Sequence, residues 1–285
     1  DGPAFVVGGN PWSGRTLYDL YQEASTPWDW HEPLFDRTRE RGLIAYPSPF
    51  DSAAVELLTA LDAPVYRIAS FELVDTPLVR MAASVGSPLI MSTGIATYAE
   101  IEAAIAAAKE GGATEIALLH CASSYPAKAE EMRLSSVGVL SDAFGLQVGL
   151  SDHSSCIAVA AAAIACGATI VEKHLTRTRA SGGPDADFSL EPNEFEQLVN
   201  DCRMAHTALI PAIMDRNSIG GANAQFRRSL YIVTDVQIGE TFSEKCSFFW
   251  TRKWADPENL NRDIGKTATR NLSRGTALSW DRLGE

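Results

Sequence analysis

Residues 146–153 read Leu146-Gln147-Val148-Gly149-Leu150-Ser151-Asp152-His153, and after an alanine-rich stretch residues 167–174 read Gly167-Ala168-Thr169-Ile170-Val171-Glu172-Lys173-His174. Two short apolar runs, 146–150 and 168–171, each end in polar residues, and Gly167 marks a helix end before the second run. Such runs suit strands of a parallel sheet buried on both faces, joined by a crossover helix. Working outward, the same unit recurs at 43–46, 65–69, 88–91 and 115–120. The segments between them carry helix signals. Thr97-Tyr98-Ala99-Glu100 predicts a capping box, Pro77 follows Asp75 and Thr76 as a first-turn proline, and Glu110-Gly111-Gly112 predicts a helix end. Strand and helix alternating at roughly 20–30 residues predict an α/β barrel or a doubly wound sheet.

These six units fall short of the eight that a closed (β/α)8 TIM-type barrel needs. The first 40 residues hold a Gly-rich opening (Gly8-Gly9-Asn10-Pro11) and two helical stretches, one from Thr26-Pro27-Trp28-Asp29. The expectation is a barrel without its first two βα units. Past residue 209 the rhythm changes. Gly220-Gly221-Ala222-Asn223 has the composition of a linker, and short β-like runs follow at 229–233, 239–240, 266–269 and 275–276. The expected boundaries are 1–212 for the catalytic domain, 213–226 for the linker and 227–285 for a small β-rich domain.

Composition narrows the partners. A formal charge of -12 without a basic cluster argues against nucleic acid, whose phosphates need concentrated Lys and Arg. No run reaches the ~18 apolar residues of a membrane span. The five cysteines (Cys121, Cys156, Cys166, Cys202, Cys246) are odd in number and lack C-x-x-C pairing. They are expected to be reduced thiols of a cytoplasmic protein, with Cys156 and Cys166 on a packed apolar helix. No signal peptide is visible, and the abrupt start at Asp1 leads to the expectation of a lost upstream segment.

In a parallel α/β barrel the chemistry lies at the C-terminal strand ends. Those ends hold Ser48, Ser70, Glu72, Ser92, Ser123, Tyr125, Ser151, His153, Glu172 and His174. Hydroxyls and backbone N–H groups converging from several strands suit a phosphate. Strand-end serines also serve as helix caps, and a lone strand-end histidine is often part of the scaffold. His153 and His174 close successive strands. Glu172 shares the face of His174, and Lys173 points the other way. Two imidazoles completed by water or a carboxylate suit a divalent cation such as Mn²⁺. The residue types alone take the reading no further than a barrel-like enzyme with a candidate metal and phosphate site.

The set Tyr66-Arg67-Ile68-Ala69-Ser70-Phe71-Glu72, Met91-Ser92-Thr93-Gly94, Leu119-His120-Cys121-Ala122-Ser123-Ser124-Tyr125-Pro126, Gly149-Leu150-Ser151-Asp152-His153 and Val171-Glu172-Lys173-His174 resembles the sialic acid synthase family in order and spacing. Gly183-Pro184-Asp185, Phe188-Ser189-Leu190 and Arg227-Arg228-Ser229-Leu230-Tyr231 continue the resemblance over nearly the whole chain. It implies a (β/α)8 barrel followed by a small antifreeze-like (SAF) domain. The implied reaction joins C3 of phosphoenolpyruvate to the aldehyde carbon of an acetamido sugar, with C–O cleavage and phosphate release. The opening, with Arg15-Thr16-Leu17-Tyr18-Asp19-Leu20-Tyr21 and Thr26-Pro27-Trp28-Asp29-Trp30, is similar to the pseudaminic acid branch.

By resemblance, Glu72, His153 and His174 are the catalytic residues, and the two histidines hold Mn²⁺, with Mg²⁺ or Co²⁺ as alternatives. Ser48, Arg67, Ser70, Ser92, Ser123 and Ser151 match phosphoenolpyruvate positions. Glu72, Tyr125 and Asp185 match positions near the sugar. A homodimer is implied, with the SAF domain near the partner's active site. The chain also departs from the pattern. Arg67 stands where the family has Lys, Ala186 follows Asp185 in place of a polar residue, and Phe248-Phe249-Trp250-Thr251-Arg252 replaces an Arg-Pro pattern. Strand alternation sets Arg67 opposite Ile68 and Ser70, so a bulge or strand end is expected to bring it to the site. Other readings are a neuraminic or legionaminic acid synthase, a Schiff-base aldolase, and a catalytically inactive truncated homologue.

Overall fold

The computed structural model describes residues 2–8, 12–209, 230–243 and 264–282. The chain divides into two compact units, Asp1–Ile210 and Pro211–Glu285. The linker expected at 213–226 and the segment Phe248–Arg252 lie outside the described residues.

The first unit is built on a five-stranded parallel sheet in the order β1-β2-β3-β4-β5. The strands are β1 (Tyr66–Ile68), β2 (Leu89–Ser92), β3 (Ile116–Cys121), β4 (Gln147–Asp152) and β5 (Val171–Lys173). Each strand pairs with the next in sequence. A doubly wound sheet reverses its order at a switch point, and this one does not. The sheet is therefore a segment of a barrel wall.

The helices are α1 (Leu17–Ala24), α2 (His31–Glu40), α3 (Ser52–Ala60), α4 (Thr76–Ser84), α5 (Tyr98–Glu110), α6 (Ser136–Phe144), α7 (Ala158–Ala165) and α8 (Pro192–Ala208). Their starts follow local chemistry. Thr97 Oγ1 accepts from the Glu100 N–H, and the Glu100 carboxylate accepts from the Thr97 N–H at 2.7 Å. Asp75 accepts from the Leu78 N–H ahead of Pro77 in α4. Each such cap is worth about 1 kcal/mol.

Alternation divides the sheet into two faces. Tyr66, Ile68, Leu89, Met91, Leu118, Val148 and Leu150 are buried against Val55, Leu58, Val79, Ala82, Ala104 and Val137 of the helices, forming the main core. The register aligns Arg67, Ser92, Leu119, Cys121, Gly149, Ser151 and Glu172 on the opposite face. A side chain is excluded at Gly149, where a Cβ would stand 2.5 Å from the Ile170 carbonyl oxygen and 2.7 Å from Leu119 Cδ2.

Three expectations need correction. Residues 43–46 form no strand: they run on from α2 without ladder hydrogen bonds, and Leu43 and Ile44 are 63% and 65% exposed. Apolar content gave the run its strand character, but a strand also needs a neighbour to pair with. The described residues thus form a five-stranded parallel sheet, one strand fewer than the six units expected. Cys156 and Cys166 flank α7 and are exposed rather than packed within it.

The second unit has its own small core of Leu230, Ile232, Val236, Phe242, Ala268, Leu272 and Leu278. Antiparallel bridges join Tyr231 to Ala277, Val236 to Leu272 and Thr241 to Thr267. Gly239 and Gly275, both at φ +82°, take turn conformations that favour glycine.

Candidate active site

The site lies on the inner face of the sheet at its C-terminal edge. Arg67 sits at its centre. Its guanidinium donates to both carboxylate oxygens of Glu172, at 3.0 and 2.7 Å, to Ser92 Oγ at 3.0 Å and to Ser48 Oγ at 3.3 Å. A planar fork meeting a carboxylate in this way is the strong, oriented form of an ion pair. Arg67 needs no bulge, because it lies within β1 on the same face as Ser92. The strand ends at Ile68, and the turn that follows brings Ser70 to that face. Ser151 Oγ donates to Glu172 Oε1 at 2.6 Å and lies 3.4 Å from His153 Nε2.

Three strand ends converge beside this group. A Cβ on Gly94, whose φ is +29°, would stand 2.4 Å from Ser70 Cβ and 2.8 Å from Ser123 Oγ. Only glycine leaves this space open. Among the described residues, Ser123 Oγ and Glu72 Oε2 are buried without a hydrogen-bond partner. Such atoms cost free energy unless a ligand or water satisfies them. Burial raises the Glu72 carboxyl above its usual range, with nearby Asp75 adding to this and Arg67 opposing it. Tyr125 and Asp185, expected near the sugar together with Glu72, make no hydrogen bond to Glu72 Oε2.

The paired imidazoles form the other half. His153 is 4% exposed, and its Nδ1 lies 3.0 Å from the Ala122 carbonyl. A carbonyl only accepts, so Nδ1 carries the proton and Nε2 keeps its lone pair. Burial lowers the pKa of His153, and neighbouring His174 lowers it further. Burial lowers that of His174 too, against the pull of Asp185, whose Oδ2 is 3.5 Å from its Nδ1. Both rings are therefore neutral at pH 7, the form that ligates metals. Their centroids are 5.3 Å apart.

Among the described residues no group of three or more His, Cys, Asp or Glu is arranged to hold a metal. His153 and His174 are the side chains that would hold a divalent cation here, its remaining positions left to water or substrate.

Tyr125 packs against His153 with ring centroids 4.2 Å apart and planes tilted by 32°, and its phenol is pushed up to about 12, chiefly by burial. It is a hydrogen-bond donor at neutral pH. Trp12 and Phe188 complete an aromatic wall, each with its ring centroid 5.4 Å from Tyr125. Trp12 also donates through Nε1 to the Pro184 carbonyl at 2.8 Å. Sequence reasoning gave no role to Trp12, Phe188 or Cys121. It noted the face of Glu172 but not its pairing. That pairing joins the first and last strands of the sheet, so neither segment alone signals it.

The NeuB family model matches residues 5–213. The chain is 35% identical to the pseudaminic acid synthase of Helicobacter pylori, over 97% of this chain and 82% of that protein. It is 34% identical to the N,N'-diacetyllegionaminic acid synthase of Campylobacter jejuni, over 85% of this chain and 73% of that protein. Among solved structures it is similar to the N-acetylneuraminic acid synthetase of Leptospira borgpetersenii serovar Hardjo-bovis in complex with citrate. The TM-score is 0.68 at 29% identity, covering 72% of each chain.

The family match and these relatives mark the chain as an enzyme of the carbon–carbon bond-forming transferase class. The chain belongs to the NeuB family, the family of the sialic acid synthases.

Proposed function

We propose that the chain is a pseudaminic acid synthase that condenses phosphoenolpyruvate with 2,4-diacetamido-2,4,6-trideoxy-altrose. The observation that carries this reading is its 35% identity to a pseudaminic acid synthase across 97% of its length. The strand-end site supplies the chemistry. The phosphate of phosphoenolpyruvate takes the place beside Arg67, Ser48 and Ser92, with Ser70, Ser123 and Ser151 supplying further hydroxyls. C3 of phosphoenolpyruvate attacks the aldehyde carbon, a C–C bond forms, and the aldehyde oxygen takes up a proton. Water then adds at C2, the C2–O bond breaks, and inorganic phosphate leaves with the bridging oxygen.

A divalent cation at His153 and His174, Mn²⁺ or alternatively Mg²⁺ or Co²⁺, would polarise the aldehyde. Glu72, its carboxyl raised by burial, and the Tyr125 phenol hydrogen-bond the acceptor, with Asp185 nearby.

In this reading the sheet is part of a (β/α)8 barrel, and the second unit is an SAF domain. The enzyme works as a cytoplasmic homodimer in which that domain reaches the partner's site. Among the described residues no helix is long and apolar enough to cross a membrane.

The test is phosphate release from phosphoenolpyruvate with either the altrose-configured sugar or N-acetylmannosamine, in Mn²⁺ and in chelator. Release only with metal and the altrose sugar supports the reading. Release with N-acetylmannosamine instead moves the chain to the neuraminic branch, and release undiminished by chelator removes the metal.

A further inference from the structure

Asp152 and Lys173 immediately precede His153 and His174, and they are Cα partners across β4 and β5. Alternation turns both side chains to the helix side of the sheet, away from the imidazoles. There the Lys173 ammonium donates to Asp152 Oδ2 at 2.8 Å, to the Ser154 carbonyl, and to Ser154 Oγ at 3.4 Å. Asp152 Oδ1 accepts from the Ser154 N–H at 2.8 Å. The two charged side chains are 1% and 0% exposed. Lys173 thus holds the backbone on both sides of His153 from the strand that carries His174.

We propose that the Asp152–Lys173 pair is a positioning clamp that sets the separation and orientation of the two imidazoles. Stability alone gives no reason for it, since apolar residues of similar volume are often neutral or stabilising in place of a buried ion pair. What the pair adds is direction. Three ammonium protons meet three fixed acceptors, and two of these belong to the residue after His153. This engagement also leaves Lys173 no freedom to act as a Schiff-base nucleophile. The proposal rests on the reading that His153 and His174 act together.

The test uses the full chain carrying Asp152→Leu with Lys173→Met. Lys173→Met alone would strand a buried carboxylate and unfold the protein. The double variant is expected to keep its thermal midpoint. In metal-free protein, the imidazole ¹⁵N resonances of His153 and His174 should move, and Mn²⁺ affinity should fall about tenfold or more, as when outer partners of metal ligands are lost. Resonances that stay in place in the folded variant, with Mn²⁺ affinity unchanged, would overturn the clamp. If the unaltered protein takes up no Mn²⁺, the metal reading fails separately, and the imidazole spectra still decide the proposal. Asp152→Asn with Lys173→Gln is the second variant, for use if the apolar pair does not fold. It must move the same resonances, and their constancy there would also overturn the proposal.

Discussion

Replacing Glu172 with glutamine (E172Q) should tighten the binding of a phosphate-bearing ligand. In the free protein the Arg67 fork is occupied by the Glu172 carboxylate, at 2.7 and 3.0 Å, so an incoming anion competes with that charge. The two side chains are 18% and 26% exposed, between the surface and the dry interior. Two unit charges about 4 Å apart interact by about 1 kcal/mol in water and about 4 kcal/mol at an effective dielectric constant of 20. A bound phosphate lies further from Glu172 than Arg67 does, so removing the carboxylate charge is worth about 1–2 kcal/mol, or about 5–30-fold in affinity. Glutamine keeps the volume and still accepts a hydrogen bond, so the fold should persist. Calorimetric titration with inorganic phosphate and with phosphoenolpyruvate reads the change, with Arg67→Met as the control that loses binding. Equal or weaker phosphate binding in E172Q would show that the anion does not bind at Arg67, and the phosphate assignment would fail.

Gly149→Ala should cost about 1–3 kcal/mol, read from the thermal midpoint, because its Cβ meets the Ile170 carbonyl and Leu119. Leu118→Ala, at a site fully buried in the core, should cost about 2–5 kcal/mol in denaturant unfolding. Acid should destabilise the protein through His153 and His174. Their folded pKa values lie below the usual 6.5, so the unfolded chain binds more protons. That stability is fully present above about pH 6.5 and is lost as pH falls toward the folded values. His153→Gln with His174→Gln should flatten the acid limb, and an unchanged limb contradicts the assignment. Glu72, with its carboxyl raised by burial, works in the opposite sense, its contribution being lost as pH rises through its folded value.

Much of this was legible in the residues. The capping box at Thr97 and the first-turn Pro77 follow from local hydrogen-bond chemistry, which is complete within four residues. The shared face of Glu172 and His174 follows from strand periodicity alone. Residues 43–46 show the limit of such reading, since apolar content cannot supply the neighbour that a strand pairs with. Arg67 shows another. Alternation was counted through Ser70, but β1 stops at Ile68, and a strand's end depends on where its ladder stops. Lys173 was rightly placed away from the site. That it is buried against Asp152 depends on the register between β4 and β5, which no single segment encodes. The aromatic wall joins Trp12, Tyr125 and Phe188, distant in sequence and brought together only by the fold.

The most direct test of the account follows the bridging oxygen of phosphoenolpyruvate. With that atom labelled as ¹⁸O and the altrose-configured sugar as acceptor, breaking the C2–O bond sends the label out with inorganic phosphate. Mass spectrometry of the products should find it there, together with an unlabelled nine-carbon acid longer than the acceptor by three carbons. Label retained in the sugar product, or phosphate released with no new C–C bond, would contradict the account.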